Sequence, residues 1–195
     1  MRGLLTPPLR SGRPAPAEPA LGPVRYDEWM PSEHLQRIFR HNLWANRLTF
    51  DACRNLTDDQ LRTSVLGTYG QLGPTLAHIA SGEAGYVWRF DQQPDRFSWD
   101  DDDPIPPVAT LASVLETSGA RFIELAAATP DDAVVTYVVE GQERRWPAWV
   151  LFGQVIDHGR EHRSHVATIL TQLGIEPPDM DMWSYGQAVQ DGETT

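Results

Sequence analysis

The sequence predicts an all-α fold, an antiparallel four-helix bundle with a small hairpin before the last helix. Four long segments place apolar residues at helical spacing, and the connections between them are short. Hydrophobic residues make up 41% of the 195 residues and charged residues 22%, as in an ordinary globular protein. A chain of this length is sufficient for one domain with a buried core.

The first half of the chain predicts two long helices. The first begins at Pro31, and its apolar face includes Asn42 and Asn46, one turn apart. Buried amides usually have partners, so we expect these asparagines to fasten this helix to another one. Residues 57–60 carry a capping-box pattern that opens a short turn or helix. The second long helix is predicted over residues 74–92, with its proline in the first turn.

The second half predicts two further helices separated by extended chain. The third helix spans residues 108–128, and the last spans residues 147–173 and stops at Gly174. Between them, residues 133–146 are rich in β-branched side chains on both sides of a Glu-Gly pair, which predicts a small hairpin.

The composition outside these helices predicts terminal tails. We interpret residues 1–30 as a disordered tail rich in Pro and Arg, residues 31–187 as the helical bundle, and residues 188–195 as a polar tail. Prolines and arginines interrupt the only candidate for the apolar region of a secretory signal. We therefore expect a cytoplasmic protein.

Charge and residue usage exclude several classes of function. The net charge is −11 and every basic residue is Arg, so the chain is a poor partner for nucleic acid. The absence of Lys removes Schiff-base chemistry and a Walker A lysine. The single cysteine, Cys53, excludes an intramolecular disulfide and a Cys-rich zinc site. No apolar run approaches the ~20 residues that span a bilayer, so we expect no membrane partner.

Three histidines share one side of the last predicted helix. His158, His162 and His165 fall within about 60° of one another at ~100° per residue. His162 lies inside the apolar stripe, His158 at its edge, and His165 just beyond it. Two imidazoles one turn apart can bind one metal ion. Gly159 replaces the Glu of an H-E-x-x-H motif, which argues against a metalloprotease.

A third ligand would have to come from another helix. His78 is the candidate, because Gly82 and Gly85 lie on its side of the second long helix and let a partner approach. Three protein ligands with one open position are typical of a catalytic metal. The alternative is a metal-free bundle whose histidines are hydrogen-bonded or solvated. His34 and His41 fall off the apolar face of their helix and are not assigned as ligands.

Four segments, in order, resemble the DinB/YfiT-like superfamily of metal-binding four-helix bundles. HNLWANRLTF at 41–50 is similar to the first-helix signature, and GQLGPTLAHIASGEAGYVW at 70–88 to the segment with the first ligand. DHGREHRSHVATILTQLG at 157–174 is similar to the Asn-His-x-x-x-His-Arg-Gly-Gln stretch. MDMWSYG at 180–186 is similar to the closing aromatic motif.

The resemblance implies a divalent metal, zinc or nickel, bound by His78, His158 and His162. Members of the superfamily, whose name reflects a damage-inducible origin, include thiol S-transferases, a thiol-dependent maleylpyruvate isomerase and hydrolase-like proteins. The resemblance therefore implies a metal-dependent thiol S-transferase that uses a small-molecule substrate and a low-molecular-weight thiol. It also implies a homodimer. A non-catalytic metal-binding stress-response protein and a metal-dependent hydrolase are the alternatives, so enzymatic activity stays open.

The chain departs from the superfamily pattern beside the second and third ligands. Ser164 and His165 stand in place of Gly-Gln, and Asp157 stands in place of Asn. Asp157 could accept a hydrogen bond from a ligand imidazole or point to solvent. His165 is a competing ligand or a proton shuttle, and the candidates for a general acid or base are His165, Glu161 and Asp157.

Two further pairs of residues have alternative roles. Arg160 and Arg163 could hold an anionic thiol or substrate, or lie in solvent as helix arginines usually do. Trp183 and Tyr185 could line the pocket, although packing is the simpler expectation for both.

Overall fold

The computed structural model of the chain describes residues 31–93, 96–100 and 102–194. Within these ranges the fold is mostly helical, with one two-stranded antiparallel sheet. The elements are α1 (Pro31–Cys53), α2 (Asp58–Leu61), α3 (Leu72–Asp91), α4 (Val108–Ala128), β1 (Val134–Val139), β2 (Gln142–Pro147), α5 (Ala148–Gln172) and α6 (Met182–Gln190). None of the helices in the described part of the chain is long and apolar enough to cross a membrane. The predicted tail over residues 1–30 lies outside the described residues.

The boundaries of the predicted elements follow from local signals in the chain. The Thr57 hydroxyl accepts from the backbone of Gln60, whose side chain accepts in return, so the predicted capping box is confirmed. The predicted hairpin is also confirmed, and Glu140 and Gly141 form its turn with φ of 52° and 74°. These positive φ values match a two-residue turn that follows the twist of the strands.

The last long helix ends as predicted at Gly174. This residue has φ of 72°, and its N–H donates to the Thr171 carbonyl at 3.0 Å. The N–H of Ile175 donates to the Leu170 carbonyl at 2.9 Å, which completes a Schellman cap.

Two elements differ from the prediction. Helix α3 begins at Leu72 instead of Pro74, which still places the proline in the first turn. Helix α6 was not predicted: it begins after Asp181, whose carboxylate accepts from the Ser184 N–H at 2.8 Å. It continues to Gln190 and therefore crosses the boundary drawn at residues 187 and 188.

Each of the four long helices packs against two of the others. Helix α1 contacts α4 and α5, and α3 contacts the same two helices from the opposite side of the ring. Apolar side chains fill both ends of the ring. One apolar cluster includes Phe50, Leu76, Leu115 and Ile169; the other includes Phe39, Phe122, Phe152 and Val155.

A buried polar layer separates the two apolar clusters, and every long helix contributes to it. Its members are Asn42 and Asn46 from α1, Glu83 from α3, Ser118 from α4 and Arg163 from α5, all of them buried. On each helix these residues lie between side chains of one cluster and side chains of the other. The expectation that the two asparagines fasten α1 to its neighbours is confirmed.

Glu83 accepts hydrogen bonds in this layer from two other helices. The amides of Asn42 and Asn46 donate to its Oε2 at 3.1 and 2.9 Å, and the hydroxyl of Ser118 donates to its Oε1 at 3.2 Å. Arg163 donates to the carbonyl oxygens of the same two asparagines at 2.9 and 2.7 Å. The two charged groups are therefore joined through shared amide partners, as buried charges require.

The layer predicts a strong dependence of folding on both charged partners. Replacing either Glu83 with Leu or Arg163 with Met leaves the other charge buried without its counterpart, and we expect a loss of about 3–5 kcal/mol in the free energy of unfolding. The double variant should lose less than the sum of the two single losses. Urea denaturation of the metal-free proteins measures all three values.

The matched control is Arg62→Met, which breaks the exposed ion pair between Arg62 and Asp59 at 3.2 Å. It should lose less than about 1 kcal/mol. Strictly additive losses from the two buried substitutions would contradict the coupling of Glu83 to Arg163.

Candidate metal centre

Helices α3 and α5 bring three histidines to one place. His158 and His162 lie one turn apart on α5, and His78 faces them from α3. Gly82 makes this approach possible, because a Cβ atom at that position would lie 2.6 Å from Cε1 of His158. The expectation for Gly85 is wrong: a Cβ there would meet the side chains of Arg96 and Arg89, not α5.

The three imidazoles are close enough to share one ion. Their ring centroids are 4.9 Å apart for His78 and His158, 4.6 Å for His78 and His162, and 4.5 Å for His158 and His162. The Nε2 atoms of His78 and His158 are 3.0 Å apart. One candidate ligand atom from each residue lies within 4.8 Å of the other two.

The surroundings of His158 and His162 favour neutral imidazoles. Burial lowers the pKa of His158 to about 4, and the neighbouring His162 and His78 add to this effect. Burial also lowers the pKa of His162 to about 4, assisted by His78 and His165. Neutral imidazole is the form that binds a metal, so these two side chains need to lose no proton at neutral pH.

Buried imidazole nitrogens without hydrogen-bond partners also bear on whether the cluster can hold a metal ion. Nδ1 of His162 and Nδ1 of His165 are buried and have no hydrogen-bond partner among the described residues. Unsatisfied buried polar atoms are unusual and mark strained or ligand-binding places. Three converging imidazoles form a set of nitrogen donors of the kind that divalent transition metals bind, and the residues present therefore fit a divalent ion.

The family comparison agrees with this geometry. The model of the DinB family matches residues 30–193, which include all four long helices and all three histidines of the cluster. The chain belongs to the DinB family. No curated protein matches it.

Two tyrosine rings pack against the histidine cluster of this DinB protein. The Tyr69 ring stacks on His78 at a centroid distance of 4.3 Å and meets His162 edge-on at 4.9 Å. Tyr86 meets His158 edge-on at 5.6 Å. His165 lies outside the trio, 5.4 Å from the ring of His162.

The polar residues that flank the ligands on α5 divide between solvent and core. Asp157 is exposed and pairs with the exposed Arg160 at 3.3 Å, so it takes the solvent alternative. Glu161 is exposed too. Arg163 takes neither predicted role, because it is buried in the polar layer of the DinB core and bonds to asparagines of α1.

The two remaining candidates belong to α6. Trp183 is 88% exposed, and Tyr185 packs against His41 and Trp44 of α1, so packing is the role shown for Tyr185. His41 Nε2 lies 2.8 Å from the Met180 carbonyl oxygen.

Two residues of the DinB site were not found from the sequence. Glu83 stands alone among the apolar residues of its helix face, after Leu76, Ile79 and Ala80, and that isolated carboxylate was a usable signal. Tyr69 belongs to the loop before α3 and had no periodic signal.

The low pKa values of His158 and His162 predict a pH-dependent stability of the metal-free protein. Their folded-state pKa of about 4 lies below the ordinary value of 6.5, so the folded state binds these protons more weakly than the unfolded state. Their contribution to the free energy of unfolding is present above pH ~6.5 and lost as pH falls toward ~4.

Urea unfolding between these pH values, with chelator present, measures the effect. The variant with His158→Gln and His162→Gln should lose less stability over this interval than the wild type, because it lacks the two imidazoles. The carboxylates are the same in both proteins and contribute equally to both profiles. Parallel pH profiles for the two proteins would show that these histidines titrate normally.

Proposed function

We propose that this DinB protein binds a divalent metal ion, zinc or nickel, through His78, His158 and His162. We further propose that it is a metal-dependent enzyme of the thiol S-transferase type. The observation that carries the proposal is the convergence of three imidazoles, two with a pKa of about 4, within 4.8 Å of one another. We also propose that the ring of four long helices is the antiparallel four-helix bundle that the sequence predicts, which the contacts of α1 and α3 with α4 and α5 support.

The three histidines would supply three neutral nitrogen donors from two helices. His158 and His162 are held by one rigid turn of α5, and His78 reaches them across the gap that Gly82 leaves. A set of three protein ligands leaves one position open, which is typical of catalytic sites. When bound, a divalent ion supplies Lewis acidity, which keeps a coordinated thiol ionised at neutral pH.

The cluster borders solvent on one side, which supports an exchangeable ligand. His78 and His158 are half-buried, and Tyr69 beside them is exposed, while His162 closes the inner side. The half-buried imidazoles of His78 and His158 are therefore the part of the cluster that a small thiol or substrate can reach from solvent. Arg163 is not a partner for an anionic thiol, because it donates its hydrogen bonds to asparagines of α1 in the core. A cytoplasmic location and a homodimer stay predictions of the sequence and of the family resemblance.

The metal site predicts one equivalent of zinc or nickel in the untagged protein. His158→Gln or His162→Gln should lower the affinity by at least ~100-fold, more than the loss of an outer partner of a ligand costs. Plasma mass spectrometry of the purified protein and competition titration with a chromophoric chelator give content and affinity. Retention of stoichiometric metal by either variant would contradict the ligand assignment.

A second pair of variants tests the geometry with all histidines in place. Gly82→Ala puts a Cβ atom against His158 and should weaken metal binding, whereas Gly153→Ala, with nothing within 4 Å, should leave it unchanged. Both remove a glycine from a helix, so any general effect on helix stability is shared.

The thiol proposal has its own readout in the cobalt-loaded protein. Addition of a low-molecular-weight thiol should produce a sulfur-to-cobalt charge-transfer band. Turnover assays should then detect transfer of the thiol to a small electrophile. Metal binding without any response to thiols would support the non-catalytic or hydrolytic alternatives instead.

A further inference from the structure

A short closed loop carries Tyr69 to the edge of the histidine cluster. The loop is closed at its base, where the N–H of Leu72 donates to the Thr63 carbonyl at 2.9 Å and Ser64 pairs with Gln71. Within it, the Thr68 hydroxyl donates to the Val65 carbonyl at 2.8 Å. These bonds close the loop that carries Tyr69 and fasten the residue before it.

Tyr69 contacts the cluster through both its ring and its hydroxyl. The ring is stacked on His78 with an interplanar angle of 24°, and the hydroxyl lies 3.1 Å from Nδ1 of that histidine. The same ring meets His162 at 85°. One exposed side chain thus fixes the plane of one candidate ligand and covers the ring of another.

The two nitrogens of His78 face different partners. Nε2 points into the cluster, 3.0 Å from Nε2 of His158, while Nδ1 faces the Tyr69 hydroxyl. A neutral imidazole carries its proton on one nitrogen and a lone pair on the other. Nε2 can present a lone pair to the cluster only when the proton resides on Nδ1, where the phenol oxygen can accept it.

We propose that Tyr69 is a positioning residue for the metal site. Its phenol oxygen accepts a hydrogen bond from Nδ1–H of His78 and so holds the tautomer whose Nε2 lone pair faces His158 and His162. The stacked ring fixes the rotation of the same imidazole. This role rests on the proposed metal-binding function, and it is the kind of outer contact that orients histidine ligands.

The first test reads the tautomer directly in the metal-free protein. Long-range proton–nitrogen correlation spectra should show His78 protonated at Nδ1 in the wild type, with a shift toward the Nε2-protonated form in Tyr69→Phe. A wild-type His78 protonated at Nε2, or a tautomer unchanged by the substitution, would overturn the proposal. Packing alone would not move this readout, since phenylalanine keeps the ring.

The second test measures zinc affinity by chelator competition. Tyr69→Phe should lose about tenfold or more, and Tyr185→Phe, the same change at a ring that packs on α1, should lose nothing. Equal affinity of Tyr69→Phe and the wild type would overturn the proposal while the metal site stands. A wild type that binds no zinc would overturn the metal site itself, and the tautomer spectra would then judge the Tyr69 contact separately.

Discussion

The hydrogen bonds that tie Glu83 and Arg163 to the asparagines of α1 are the constraint on which the site depends. Gly82 and Glu83 are neighbours on α3, as His162 and Arg163 are on α5. Satisfying the buried charges therefore also sets the height and rotation at which α3 meets α5. A shift of either helix would break buried charge-assisted bonds, which are costly to lose, before it separated the histidines.

Burial has different consequences for the charge of the polar-layer residues and for the charge of the histidines. Burial raises the pKa of Glu83, whereas the amide donors and the Arg163 charge oppose that rise. The pKa of the Arg163 guanidinium falls to about 10 for the same reason, and it stays charged at neutral pH. The imidazoles of His158 and His162 have an ordinary pKa near neutrality, so burial leaves them uncharged and available as donors. The polar layer thus connects the four long helices, while the adjacent cluster offers imidazole nitrogens that could hold a metal ion.

The predictable parts of this structure are those that depend on the spacing of residues close together in the sequence. Helical spacing predicted the four long helices to within a few residues, and the His158–His162 pair needed only the pitch of one helix. His78 required a tertiary argument, and Gly82 supplied it. Arg163 was misplaced because a helix arginine is usually solvated, and only its partners on α1 show that it is buried. The contact of Tyr69 with His78 joins a loop to a helix, and no spacing in the chain encodes it.

The coordination shell of the loaded protein tests the central claim most directly, by X-ray absorption at the zinc edge. The account predicts three imidazole nitrogens at about 2.0–2.1 Å and one exchangeable light atom. Addition of a low-molecular-weight thiol should replace the light atom with one sulfur at about 2.3 Å while the three imidazoles remain. A shell with fewer than three imidazoles would contradict the account. A shell of four protein ligands that no thiol can displace would contradict it too.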